Sequence, residues 1–144
     1  KHEGSIFWIM EDDARMKYFY AKYLDKWIKE VEDKDPHWDI IYTFKSSIDF
    51  YDLMHLKNVT LETDKSDRYY DQPFTNHSVR SGPSVCTAGY LLSKRGIEKL
   101  LKLTEKIIYP IDVQIALKYK ELNMYAFSPL ITYCEKDEIS DSAL

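Results

Sequence analysis

The sequence predicts an α/β layered domain, a sheet flanked by helices, and three stretches near its start carry that expectation. Ser5-Ile-Phe-Trp-Ile-Met10 is a short, continuous apolar run rich in aromatic and branched residues, which suits a buried strand. Met16, Tyr20, Tyr23, Leu24, Trp27, Ile28 and Val31 then recur at spacings of three and four, one apolar stripe on a helix of about four or five turns. Trp38-Asp-Ile-Ile-Tyr-Thr-Phe44 returns to the strand pattern. Strand and helix periods that alternate along a chain indicate layers.

The later elements repeat the alternation. A short helix is expected around residues 49–56, and the polar stretch 64–83, broken by Pro73, Asn76, Gly82 and Pro83, reads as a long loop. Val85-Cys-Thr-Ala-Gly-Tyr-Leu-Leu92 reads as a strand, and Ser93 is placed to cap the helix that follows. That helix should turn Ile97, Leu100, Leu101 and Thr104 inward, and Ile107-Ile-Tyr-Pro110 should break it. A further helix begins near Pro110, where a first turn tolerates proline, and carries Ile111, Ile115, Ala116 and Tyr119. Met124-Tyr-Ala-Phe127 is a last strand, followed by Pro129-Leu-Ile-Thr-Tyr133 and a polar tail over 135–144.

A chain of 144 residues fits one domain with a real core. The net charge of −4 comes without a Lys/Arg cluster of the kind that displaces counterions from nucleic acid, so nucleic acid is excluded as a partner. A phosphorylated ligand would need a divalent cation to screen it. Cys86 and Cys134 lie far apart without a CxxC pair, which argues against structural zinc or a disulfide framework. No apolar run reaches the length of a membrane span, and no signal peptide is visible. Asn58-Val-Thr60 and Asn76-His-Ser78 are formal glycosylation sequons of low specificity. The first residue is Lys1, and an apolar run begins almost at once, so the chain is expected to be part of a larger protein.

The most informative local feature is Glu11-Asp12-Asp13 between the first strand and the expected helix. Residues two apart on an extended backbone project the same way, so Glu11 and Asp13 can converge on one cation. Clustered carboxylates repel unless a hard cation such as Mg²⁺ or Mn²⁺ neutralises them, and such a cation could grip a diphosphate. The alternative is a solvated acidic helix N-terminus favoured by the helix dipole.

Four segments taken together resemble glycosyltransferase family 25, the lipooligosaccharide and procollagen galactosyltransferase group. They are Phe7-Trp-Ile-Met-Glu-Asp-Asp-Ala14, Trp38-Asp-Ile-Ile-Tyr42, the block from Thr87-Ala-Gly-Tyr to Leu101, and Tyr109-Pro-Ile-Asp112. The resemblance covers residues 5 to about 133 and implies residues 1–134 as the C-terminal portion of a catalytic domain, with 135–144 as tail. It implies a partial GT-A-like fold with a mixed sheet, and inverting transfer of galactose or glucose from a UDP-sugar donor to a glycan or hydroxylysine-type acceptor. It also implies a divalent metal, commonly Mn²⁺, and a setting either in the bacterial cytoplasm or in the secretory pathway.

On this resemblance Glu11 and Asp13 face the metal and diphosphate, and Asp12 the donor ribose or the periphery of the metal site. Asp112 is the candidate general base, its alternative being a helix-start residue held by backbone N–H groups. Thr87, Gly89 and Tyr90 are candidates to line the substrate site, Gly89 by close approach and Tyr90 by stacking on a sugar; a bulge and a core aromatic are the alternatives. His55 and His77 are available as metal ligands but are more simply surface residues. Two other functions compete. One is a non-catalytic transferase-like module of a larger enzyme. The other is a phosphoacceptor receiver domain, with Asp52 phosphorylated, Thr87 as switch and Lys106 as the paired lysine.

Overall fold

A computed structural model describes residues 5–46, 50 and 69–135. Its elements run β1 (Phe7–Met10), β2 (Ala14–Met16), α1 (Tyr18–Ala21), α2 (Leu24–Lys34), β3 (Ile40–Tyr42), β4 (Gln72–Thr75), β5 (Ser78–Arg80), β6 (Gly89–Leu92), α3 (Lys94–Leu103), α4 (Ile111–Leu117), β7 (Met124–Phe127) and β8 (Thr132–Cys134). Six strands form a mixed sheet in the order β1-β6-β3-β7-β5-β4, and β2 pairs with β8 in a second, two-stranded sheet. The α/β class read from the sequence is what the chain adopts. Among the described strands only β3 and β7 are parallel neighbours, whereas a receiver domain needs a doubly wound parallel sheet. The receiver reading fails on topology, and its Asp52 lies outside the described residues.

Side chains alternate across the sheet, so its two faces collect two cores. On one face Ile41, Leu91, Tyr125 and Phe127 meet Trp27, Ile28 and Val31 of α2. On the other, Ile40, Tyr42, Leu92, Met124 and Ala126 meet Leu100 of α3 and Ile115 of α4. Full burial of an aliphatic side chain contributes roughly 2 kcal/mol, and Val31, Ile41 and Ile131 all reach it.

Asp39 ties these layers together. Its carboxylate is fully buried and accepts from Lys99 Nζ at 2.6 Å and from the Asn123 N–H at 2.8 Å, with Arg95 Nε at 3.3 Å. Its backbone N–H donates to the Asn123 carbonyl, and its carbonyl accepts the Ser93 N–H. The starts of β3, β7 and α3 therefore meet on one residue. A Cβ at Gly96 would lie 2.1 Å from the Asp39 carbonyl oxygen, so only glycine lets α3 come this close. Ser93 caps α3 as expected, its Oγ accepting from the Gly96 N–H at 3.0 Å.

Four sequence expectations need correction. The stretch from Ala14 to Tyr23 is not the start of one long helix: Ala14–Met16 pairs with β8, α1 is a single turn, and the long helix begins at Leu24. Tyr20, Tyr23 and Leu24 still pack against the core, so the apolar stripe marked the buried side chains correctly while the backbone followed its strand partner. β1 is an edge strand and largely exposed, with Phe7 at 46%, rather than buried. The expected loop at 64–83 contains the β4–β5 hairpin, which turns at Asn76 and His77, and Pro73 is tolerated because β4 is the opposite edge. Leu101 points outward, because the contact line of α3 runs through Gly96 and Leu100, and Thr104 donates its hydroxyl to the Leu100 carbonyl instead of packing. The helix expected at 49–56 falls outside the described residues, apart from buried Phe50.

Asp39→Ala removes the shared acceptor and leaves the Asn123 N–H and Lys99 without it. A loss of about 3 kcal/mol is expected. Urea denaturation measures it, and a change below about 0.5 kcal/mol would contradict this role for Asp39.

Candidate active site

β1 and β3 point the same way with β6 running back between them, so the end of β1, the end of β3 and the start of β6 lie at one end of the sheet. The register sets Met10 opposite Gly89 and Tyr42 opposite Tyr90. Of the residues singled out from the sequence, Glu11, Thr87, Gly89 and Tyr90 gather at this end.

Glu11 follows β1 directly. Its N–H donates to the Ala88 carbonyl at 3.0 Å, and Thr87 Oγ1 donates to Glu11 Oε1 at 2.8 Å. The Ala14 N–H returns to the Glu11 carbonyl at 3.1 Å and closes the turn. Asp12 is exposed, and its carbonyl accepts the Arg15 guanidinium at 2.8 Å. Asp13 is half-buried, and its carbonyl accepts the Glu135 N–H at 3.3 Å. Arg15 in turn pairs with Glu135 at 3.1 Å. The acidic triplet is thus a tight turn between the large sheet and the small one. It is not a helix start, which corrects both the expected strand–helix setting and its helix-dipole alternative.

Gly89 lies beneath the turn. A Cβ there would stand 2.5 Å from Thr43 Oγ1 and 3.2 Å from Thr132. Thr132 Oγ1 donates to Thr43 Oγ1 at 2.9 Å, and both threonines are buried. Packing where the two sheets cross is therefore sufficient reason for glycine, with no ligand needed to explain it.

Tyr90 is half-buried, and burial raises its hydroxyl pKa above the ordinary 10.0, with the Glu11 carboxylate adding to the rise. Its ring stands 6.5 Å from that of Tyr42. Tyr42 is fully buried and holds its proton even more firmly, first through burial and then through Tyr90, Cys86 and Asp112. Asp112 is therefore near enough to be felt at Tyr42. It sits at the start of α4, half-buried, with Oδ1 accepting the Val113 N–H at 2.8 Å. At this end of the sheet Thr87 is hydrogen-bonded to Glu11, and the Tyr90 and Tyr42 rings are neighbours. Tyr42 was overlooked as a site residue, although it lies in the quoted Trp38-Asp-Ile-Ile-Tyr42 segment.

His77 is elsewhere, at the far edge of the sheet. Its ring stacks on Trp27 at 4.7 Å, and its Nδ1 lies 2.9 Å from Glu30 Oε2. A groove of about 460 Å³ beside it is lined by residues of α2 and of the β4–β5 hairpin. His55 lies outside the described residues. Among the described residues no group of three or more His, Cys, Asp or Glu side chains is placed to hold a metal ion, and no helix is long and apolar enough to cross a membrane. Cys86 and Cys134 form no disulfide.

A family model described as glycosyltransferase family 25 (LPS biosynthesis protein) matches residues 2–115. The chain belongs to glycosyltransferase family 25. The family 25 match runs from before β1 into α4 and so takes in the acidic turn, Thr87, Gly89, Tyr90 and Asp112. A curated relative, procollagen galactosyltransferase 1 of Danio rerio, is 24% identical over 140 residues, covering 87% of this chain. The chain spans 21% of that relative's length. No solved structure matches.

Gly89→Ala should cost about 2 kcal/mol, because Thr43 has no room to yield. Thr43→Ala in the same chain should recover part of that loss, and strictly additive effects in thermal melts would refute the clash. Tyr90 carries a second expectation. A raised folded-state pKa contributes stability that is fully present below the unfolded pKa and is lost as pH rises through the folded one. Tyr90→Phe should therefore flatten the alkaline fall in stability above about pH 10; an unchanged alkaline limb would show that Tyr90 does not titrate as described.

Proposed function

We propose that this chain forms the catalytic, metal-binding part of a glycosyltransferase with a GT-A-type arrangement. It transfers a hexose, galactose or glucose, from a UDP-sugar to a carbohydrate or protein-linked acceptor with inversion. The observation that carries the reading is the family match across residues 2–115. The gathering of Glu11, Thr87 and Tyr90 at one end of the sheet supports it.

Glu11 and Asp13 would hold the metal, Mn²⁺ or Mg²⁺. The donor set fits. Mg²⁺ in particular is commonly bound by one or two carboxylates together with substrate phosphates, so two acids in one turn suffice without a third protein ligand. When bound, such an ion supplies positive charge opposite a departing diphosphate. Thr87 fixes the Glu11 carboxylate by its hydrogen bond. Asp12, exposed on the same turn, would face the donor ribose. Tyr90 stays protonated at neutral pH and offers a hydroxyl and a half-buried ring to a sugar.

Asp112 takes the proton of the acceptor hydroxyl. The acceptor oxygen bonds to the anomeric carbon from the side opposite the diphosphate, the bond from that carbon to the diphosphate oxygen breaks, and the sugar is inverted.

Calorimetry with UDP, with and without Mn²⁺, tests the first half. Metal-dependent binding is expected in the wild-type chain, lost in Asp13→Asn without loss of fold. Binding unchanged by Asp13→Asn removes the acidic turn from the mechanism, and no binding at all favours a non-catalytic module. For the second half, Asp112→Asn should leave UDP affinity intact and lower turnover by roughly 10²–10⁴-fold.

A further inference from the structure

The connection between α3 and α4 is held by one side chain. Gln114 is buried, and its amide uses both ends: Oε1 accepts from the Ile108 N–H at 2.9 Å and the Tyr109 N–H at 3.4 Å, while Nε2 donates to the Lys106 carbonyl at 2.8 Å and the Leu103 carbonyl at 3.4 Å. That accounts for the two donors and two acceptor sites of a primary amide. The segment it grips has little else to order it, since Ile107 and Ile108 are 69% and 66% exposed. The Gln114 backbone N–H also closes the first turn of α4 on the Pro110 carbonyl at 2.9 Å. Asp112 lies between these two anchors.

A buried amide is stabilising only when its hydrogen bonds are made, whereas an aliphatic side chain of similar size would fill the same space without that condition. The amide therefore supplies what packing alone would not, a fixed path for the chain leading into Asp112. A short helix carries its first residues wherever its entry is held, and α4 has only seven residues.

We propose that Gln114 is a positioning residue for the transfer reaction, which holds the entry of α4 and with it the Asp112 carboxylate. The inference rests on the reading of Asp112 as general base. Misplacing a reacting group by about 1 Å can cost about 10²-fold in rate.

The test is a double-mutant cycle in the full-length protein, with Gln114→Leu, Asp112→Asn and both together, reading turnover and UDP-sugar affinity separately. Gln114→Leu should lower turnover about 10–100-fold and leave donor affinity unchanged. In the Asp112→Asn background it should add almost nothing, because its target is already gone. Gln114→Glu keeps the acceptor half of the clamp and should fall between wild type and Gln114→Leu; it replaces Gln114→Leu in the cycle if that variant does not fold. Unchanged turnover in a folded Gln114 variant overturns the proposal. So does the same fold-loss in both backgrounds, the behaviour of a residue acting on the fold alone. Full turnover in Asp112→Asn overturns the base reading and this inference with it, while failure confined to Gln114 leaves the Asp112 effect in place.

Discussion

One buried carboxylate sets the frame on which everything else is hung. Asp39 meets the cations of α3, the first backbone amide before β7 and the strand it begins, all within a pocket that admits no water to the side chain. Inside a protein such a charge is tolerated only with its partners in place, so the partners are also constrained by it. The parallel pairing of β3 with β7 and the seating of α3 across the sheet are fixed together. Gly96 completes the constraint by removing the one side chain that would hold α3 away.

The candidate site inherits this frame at the opposite end of β3. Thr43 leaves the strand there, and its carbonyl receives the N–H groups of Ile131 and Thr132, while the Gly89 carbonyl receives those of Thr43 and Phe44. These bonds stitch the small β2–β8 sheet to the large one, and the acidic turn spans the seam. The carboxylates of Glu11 and Asp13 are thereby carried on a turn anchored at both ends, by Ala88 on one side and Glu135 on the other. A rigid seam of this kind suits a site that must hold charged groups apart until a ligand brings them to use.

Much of this was legible in the sequence where one physical signal dominated. β7 was read with its observed bounds because four apolar residues stand between clear polar breaks. Ser93 was legible because a cap needs a hydroxyl at a fixed distance from the helix and little else. Two of the misreadings share one cause, competition from a partner distant in the chain. Ala14–Met16 has the spacing of a helix and becomes a strand because residues 132–134 offer it a ladder. The β4–β5 hairpin is polar enough to look like loop and is held by β7, far along the chain. At the site, the residue types of Glu11, Asp13 and Asp112 could be read, but the aromatic link through Tyr42 and the clamp at Gln114 could not, because neither has a local pattern. Asp39 was hidden for the same reason: an aspartate beside a tryptophan carries no sign that the starts of β3, β7 and α3 will converge on it.

The strand order has a consequence for how the chain assembles. β3 lies in the middle of the sheet, yet its two neighbours are β6 and β7, so Ile40 meets Leu92 and Met124 across most of the chain. Among the described strands β1 likewise pairs with β6 alone. These pairings join strands distant in the chain, and loops of such length must close before a long-range contact rewards them. A chain emerging from the ribosome must therefore hold β1 and β3 without their sheet partners until β6 appears, and β3 gains both neighbours only once β7 has been made. Such a pattern of distant pairings favours slower folding than one built from local contacts.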